Sequence, residues 1–227
     1  GLIWIKASGK KLRNALDENI FVCFDLRMLR KELDKNPENE NLNIKNLCGS
    51  NLRASIETSL HAQILNPVVI HTHSIDVIAC SMFSDAREYI DKSLEDLDWR
   101  WIAYSRPGFP LAKEIKKSRG NKETNVLILE NHGLVISANT ISEAEVLQKK
   151  VIDRLKQRTR KFKPPNLFKL KNLIQKIPNS RLPKEEVIHS LGTDPYSFNL
   201  LKGNNHCPDH VVFCGKYPWI VNNLSPP

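Results

Sequence analysis

The sequence predicts an α/β fold, with a largely antiparallel central sheet flanked by helices in three layers. Short β-branched runs of strand length recur, as in VVIHTH at 68–73 and VLIL at 126–129. Between them lie segments with helical spacing, such as Ile56, Leu60 and Ile64. A tight Asn131–Gly133 turn joins two of the apolar runs, as an antiparallel pair requires.

From the start, LIWIKA alternates apolar and polar positions and reads as a strand, SGKKL as a turn and FVCFDL as a second strand. MLRKELDK reads as a short helix and PENENLNIKNLCGSN as a loop. A helix begins near Ser55 and ends at Asn66-Pro67, because the residue before proline is driven out of helical geometry. VVIHTH is the next strand, followed by helices in SIDVIACSMFS and DAREYIDKSLEDL. WRWIAYSRPGFPLAKEIKKS gives a strand, a Pro/Gly turn and a helix. VLIL and LVISA flank Glu-Asn-His-Gly. A long helix then runs through TISEAEVLQKKVIDRLKQRTRKF, with Thr140 or Ser142 as N-cap. KPPN at 163–166 marks a boundary, giving a domain over 1–163 and a helix-and-strand extension over 164–227. In that extension PKEEVIHSL reads as a helix, the Asn-rich stretch as a loop, and HVVFCGKYPWIV as a final strand pair.

The 227 residues suffice for one sizeable core. Their apolar runs are too short to cross a bilayer. No signal-peptide pattern opens the sequence, so a cytoplasmic protein is expected. Five scattered cysteines with no CxxC pair fit reduced core thiols rather than a disulfide framework. The net charge of +9 is concentrated beyond residue 148, in QKKVIDRLKQRTRKFKPPNLFKLK. Such a tract suits nucleic acid, an anionic surface or a phosphorylated metabolite, or is simply a solvated helix face. Aromatics are not interleaved in it as base stacking requires, so nucleic acid is not expected as a partner.

The residues that carry chemistry are histidines. On a strand, His71 and His73 share a face while Thr72 points away. Zinc takes neutral imidazole nitrogens near 2 Å in tetrahedral array, and a same-face pair on rigid backbone supplies two corners. An isolated HxH pair is common, and its ordinary reading is packing. His132 stands in the tight turn, where a side chain projects over a sheet end and Gly133 permits close backbone approach. Glu57 lies one helix upstream of the HTH strand and shares a helix face with His61, which suits a surface hydrogen bond or a ring packed beneath a site.

Taken in order, SIETSLHAQILNPVVIHTHSIDVIACS and VLILENHGLVISANTISEA resemble the class II aldolase/adducin family of zinc sugar-phosphate aldolases. The family pattern is a Ser-x-Glu, a His four residues on, a Pro-led strand ending in His-x-His, and an Asn-His-Gly turn before a Glu-Ala helix. The resemblance implies a class II aldolase-like fold with one Zn2+ (or another divalent ion) per chain, held by His71, His73 and His132. It implies that Glu57 is the catalytic carboxylate, able also to ligate the metal. Ser8 and Gly9, with Ser55, fall at the substrate phosphate-binding positions, where Lys10 or Lys11 adds charge. The family's opening helix and Gly-Asn-Ser/Thr strand are not seen from Gly1 onward, which bears on phosphate binding more than on metal.

The implied reaction is cleavage of a ketose 1-phosphate to dihydroxyacetone phosphate and an aldehyde through an enediolate. Relatives place a tyrosine from a neighbouring subunit at the aldehyde oxygen; Tyr89, Tyr104, Tyr196 and Tyr217 are the candidates here. A homotetramer is the implied assembly. Epimerase, dehydratase and decarboxylase relatives share the enediolate, and epimerases tend to carry Asp where Glu57 stands. Adducin uses the fold as a binding module without the metal histidines. The last part, SLGTDPYSFNLL and CPDHVVFCGKYPWIV, is similar to the connector in rhamnulose-phosphate aldolase/dehydrogenase proteins. No GxGxxG follows a strand, so no dinucleotide site is expected. His206 and His210 are surplus to the three-histidine set.

Overall fold

A computed structural model describes residues 1–35, 45–119, 124–157, 160–203, 205–216 and 220. The chain divides into two compact units, Gly1–Lys156 and Gln157–Pro227.

In the first unit, β1 (Leu2–Lys6) and β2 (Phe21–Asp25) form an antiparallel pair, followed by α1 (Leu26–Lys35). Most of the expected loop at 37–51 lies outside the described residues; its described part, 45–51, has no helix or strand. Then come α2 (Thr58–Gln63), β3 (Val68–Thr72), α3 (Ile75–Ser81), α4 (Ala86–Ser93), β4 (Trp99–Ile102) and α5 (Phe109–Arg119). The unit closes with β5 (Val126–Leu129), β6 (Gly133–Ala138) and α6 (Ile141–Leu155).

The main sheet has the order β3-β6-β5-β4. β3 with β6 and β5 with β6 are antiparallel, whereas β4 and β5 run parallel. The parallel edge follows from connectivity: α5 carries the chain back between β4 and β5, the kind of crossover a parallel neighbour needs.

Strand alternation builds the layers. Val126, Ile128, Leu134 and Ile136 cluster with Val77, Cys80, Ile90, Leu94, Ala144, Val151 and Leu155 from α3, α4 and α6 and their ends. Leu127, Leu129 and Val135 point the other way, onto Leu60, Leu111 and Ile115 of α2 and α5. Each fully buried aliphatic side chain contributes about 1.5–3 kcal/mol, and both faces of the sheet are covered in this way. That is why β5 and β6 are buried at every position rather than alternating.

Local chemistry sets the boundaries. Thr140 caps α6 with a full capping box, its hydroxyl accepting from the Glu143 amide while the Glu143 carboxylate accepts from the Thr140 amide. The helix ends at Leu155, short of the reading to Phe162. α2 is also shorter than its apolar spacing suggests, beginning three residues after Ser55. Its last carbonyls are held by Arg30, which donates to Ala62 O at 2.7 Å and Ile64 O at 2.9 Å.

The second unit carries α7 (Leu167–Ile174), α8 (Ser190–Thr193), α9 (Pro195–Gly203) and α10 (Pro208–Cys214), with a 3₁₀ turn at Glu186–His189. The first half of the expected final strand pair is helical instead, with Val211, Val212 and Phe213 in α10, and most of its second half lies outside the described residues. Pro208 at the first turn presets helical φ, and no described strand of this unit offers a partner for the short β-branched run. Likewise, the Asn-rich stretch read as loop contributes to α9. Its start is fixed by Asp194, whose carboxylate accepts from the Ser197 amide at 3.1 Å and hydroxyl at 2.7 Å. No described helix is long and apolar enough to cross a membrane.

Two outcomes follow from packing. A Cβ on Gly133 would sit 2.4 Å from the Thr72 carbonyl oxygen, so Gly133→Ala should destabilise the unit by about 2–3 kcal/mol, read as a lower urea midpoint. Burial, with Asp85 nearby, pushes the Cys80 thiol up to about 11, and burial also raises Cys23. A raised pKa means less thiolate at pH 8, so iodoacetamide should label exposed Cys214 in the native protein and spare Cys80 and Cys23, as mass spectrometry would show.

Candidate metal centre

Three segments bring functional side chains to one end of the sheet. β3 presents His71, and His73 follows one residue past its end. Thr72 points to the opposite face, where its hydroxyl accepts from Gln148 of α6 at 3.1 Å. Both imidazoles therefore face the α2 side.

The second segment is the β5–β6 turn, pinned at each residue. Glu130 N–H donates to Ile102 O at 3.0 Å, and its carboxylate accepts from the Tyr104 amide at 3.0 Å. Asn131 adopts left-handed backbone, φ 54°, and its amide donates to the Ser81 hydroxyl at 2.9 Å. His132 N–H returns to Leu129 O at 3.1 Å. Gly133 then allows the backbone to run against Thr72. Glu57, the third contribution, stands just before α2, with its amide donating to the Ser55 hydroxyl at 3.3 Å.

The side chains converge tightly. His71 Nε2 lies 3.0 Å from Glu57 Oε1 and 3.2 Å from His73 Nε2. His132 Nε2 lies 3.1 Å from His73 Nε2 and 3.2 Å from Glu57 Oε1, and His73 Nε2 is 3.7 Å from that oxygen. Among the described residues this is the one group of three or more His, Cys, Asp or Glu side chains placed to hold a metal ion.

Proton counting shows what the cluster fits. His71 Nδ1 lies 3.0 Å from the Leu134 carbonyl, which only accepts, so Nδ1 carries the proton and neutral His71 turns a lone pair inward at Nε2. Neutral His73 and His132 bring at most one Nε2 proton each. Two protons cannot bridge five close contacts among three nitrogens and a carboxylate oxygen. A single cation can. Four ligands about 2.0–2.1 Å from a tetrahedral zinc stand about 3.3–3.4 Å apart, within the 3.0–3.7 Å spread of the five contacts.

Burial pushes the Glu57 carboxyl up, but the imidazoles of His132, His71 and His73 outweigh it and hold the group well below the usual carboxylate range. It is therefore an anion at neutral pH. His71 and His132 side chains are 3% and 2% exposed, whereas His73 is 30% and Glu57 20% exposed. The cluster opens to solvent on the His73–Glu57 side.

The other expected residues lie as follows. Ser8 and Gly9 form an exposed turn with Gly9 at φ 73°, and Ser8 N–H donates to Arg53 O at 2.9 Å, two residues before Ser55. Lys10 is paired with Glu18 at 2.8 Å, while Lys6 Nζ donates to the carbonyls of Ala7 and Lys10. The His61 ring sits edge-on to His71 at 6.4 Å, and burial, then His71, lowers its pKa to about 4. His206 and His210 stack on each other in the second unit. Tyr89 and Tyr104 are exposed in the first unit and Tyr196 in the second, while Tyr217 lies outside the described residues.

Sequence reasoning missed Ser81, Gln148 and the Leu134 carbonyl. A serine ending an apolar helix carries no signal for a bond to a turn fifty residues on. A backbone acceptor has no sequence signature at all. The Leu134 contact was recoverable only through β3–β6 register, which pairs His71 with Val135.

Comparison with known proteins bears on the family and the fold. The curated relative YuxG, an uncharacterized oxidoreductase of Bacillus subtilis, is 27% identical over 252 residues, which take in 97% of this chain and 36% of the relative. The chain thus spans about a third of that protein's length. Among solved structures, the N-terminal class II aldolase domain of a conserved Thermoplasma acidophilum protein aligns with TM-score 0.55 and 22% identity, covering 68% of this chain and 73% of that one. A sugar-phosphate aldolase of Thermotoga maritima aligns with TM-score 0.50 and 16% identity, covering 68% and 70%. The family description "Class II Aldolase and Adducin N-terminal domain" matches residues 1–152, and the chain belongs to that family.

Proposed function

We propose that the chain is a metal-dependent aldolase that cleaves a ketose 1-phosphate to dihydroxyacetone phosphate and an aldehyde. The observation that carries this reading is the convergence on one Glu57 oxygen of three imidazoles, whose Nε2 atoms lie 3.0–3.7 Å from it. His71, His73 and His132, with Glu57, would hold one divalent cation per chain, and zinc suits three imidazole donors and a carboxylate. The chemistry supplied by a cation bound there is Lewis-acid stabilisation of the negative charge of an enediolate.

The chain's own residues do the rest. In the cleavage direction the electrons of the C3–C4 bond stay on C3, and the C4 hydroxyl gives its proton to a second group. Glu57, an anion in the free site, takes up a proton from solvent once substrate is bound and delivers it to C3, which completes dihydroxyacetone phosphate. The second group returns the C4 hydroxyl proton to solvent, and in the synthetic direction Glu57 removes the proton from C3. Its position on the open side of the cluster suits this exchange, because the carboxylate meets both the imidazoles and incoming substrate. The Ser55 hydroxyl fixes the Glu57 backbone. The turn at Ser8 and Gly9, bonded to the segment leading into Ser55, is assigned to the substrate phosphate, with Lys6 the ammonium hydrogen-bonded to that turn. Assembly as a homotetramer and a cytoplasmic location complete the reading.

Metal analysis of the purified protein should give about one zinc or similar divalent ion per chain, and His71→Ala should abolish it. An adducin-like binding module would be free of metal. Glu57→Gln should lower aldehyde release from a ketose 1-phosphate panel by about 10²–10⁴-fold, the range for losing a positioned acid–base group. Full metal occupancy with no aldehyde from any ketose 1-phosphate would instead support epimerase, dehydratase or decarboxylase chemistry.

A further inference from the structure

We propose that the Ser81 hydroxyl is a positioning residue that sets the metal affinity of the site by fixing where His132 stands. The inference rests on the metal-centre reading and deepens it. Ser81 is the last residue of α3 and 4% exposed. Its hydroxyl is used in both directions: it donates to Ile78 O at 2.8 Å and accepts from Asn131 N–H at 2.9 Å. The first bond fixes the rotor, so the oxygen lone pair has a set direction. The second clamps the residue directly before His132.

That residue needs a clamp. Asn131 is in left-handed backbone, a conformation that asparagine reaches more readily than other non-glycine residues when its own side chain hydrogen-bonds locally. Its side-chain carbonyl oxygen is buried and has no partner, so it does not stabilise the turn itself. His132 Nδ1 is likewise buried without a partner. His71, in contrast, is oriented through Nδ1 by the Leu134 carbonyl. The ring of His132 therefore takes its direction from the backbone of its turn, and the turn takes its direction from Ser81, with Glu130 anchoring the preceding residue to β4. There is also a mechanical consequence. α3 begins two residues after His73, so one seven-residue helix ties the HTH strand at its start to the His132 turn at its end. Ser81 joins the two ligand-bearing segments.

The test is zinc affinity of Ser81→Ala, His132→Ala and the double variant, with thermal unfolding in parallel. For a folded Ser81→Ala protein the zinc dissociation constant should rise about 10- to 100-fold, as on removing a group that orients a ligand. Adding Ser81→Ala to His132→Ala should weaken binding little further, because Ser81 acts through that histidine. The visible band of the cobalt(II) form should lose intensity both in Ser81→Ala and in His132→Ala. Ser81→Thr, which keeps the hydroxyl, should restore both. Wild-type zinc affinity in Ser81→Ala, or equal further losses in both backgrounds, overturns the inference. Should Ser81→Ala fail to fold, Ser81→Cys keeps the volume with a weaker acceptor, and wild-type affinity there overturns it equally. A wild-type protein that binds no zinc would sink the metal reading itself, a result distinct from an unchanged Ser81→Ala.

Discussion

Electron-rich atoms do not gather of their own accord. Three imidazole nitrogens and a carboxylate oxygen stand 3.0–3.7 Å apart, and with too few protons to bridge them their lone pairs repel. The fold holds them in place because each sits on an element whose position is set by burial elsewhere. His71 lies on β3, which is hydrogen-bonded along its length to β6. The turn bearing His132 is bounded by β5 and β6, whose side chains fill both faces of the sheet. Glu57 leads into α2, which Leu60 roots in the core. Apolar packing remote from the site thus supplies the force that brings the polar atoms together, and a bound cation would repay it as folding stability.

That constraint explains where the structure tolerates no substitution in size. The Gly133 backbone passes the Thr72 carbonyl too closely for a side chain, and Thr72 stands between the two strand histidines. Close approach of β6 to β3 at this end also puts the Leu134 carbonyl within reach of His71 Nδ1. One backbone contact therefore fixes both the spacing of the sheet end and the tautomer of a ligand. A neutral ring with its proton on Nδ1 is the form that metal binding needs at Nε2.

Much of this was legible beforehand, and the reasons differ by element. The strands of the main sheet declared themselves because burial on both faces leaves continuous β-branched runs. The HTH pair was readable because strand alternation is strictly two-residue. Convergence of His132 and Glu57 with that pair was not readable from spacing. It came from resemblance, since nothing local encodes a contact between residues 57 and 132. Boundaries read least well. α2 and α6 fell short of their apolar periodicity, and the parallel β4–β5 edge depended on a crossover rather than on residue type. The end of the chain misled for a physical reason: Val211, Val212 and Phe213 favour strand intrinsically, but Pro208 starts a helix and no described partner strand competes.

The unequal exposure of the four ligand residues bears on how the site would work. His71 and His132 are sealed, one by a carbonyl and the other by its turn, while His73 and Glu57 face outward. Two closed ligands on rigid strand ends would keep the ion, and the carboxylate on the open side is the one group of the four that can leave without unpacking the sheet. A carboxylate that exchanged between cation and substrate would thereby be an acid–base group already at the right place. Within α6 the cations of the basic tract are paired locally, Arg154 and Lys150 with Asp96 and Lys149 with Asp153, and the tract from Gln157 onward belongs to the second unit. In the first unit, the cations held beside the Ser8 turn are Lys6, bound to that turn's own carbonyls, and Lys10, paired with Glu18. An attraction of a phosphorylated substrate to that turn would draw on Lys6 first, since Lys10 is already neutralised.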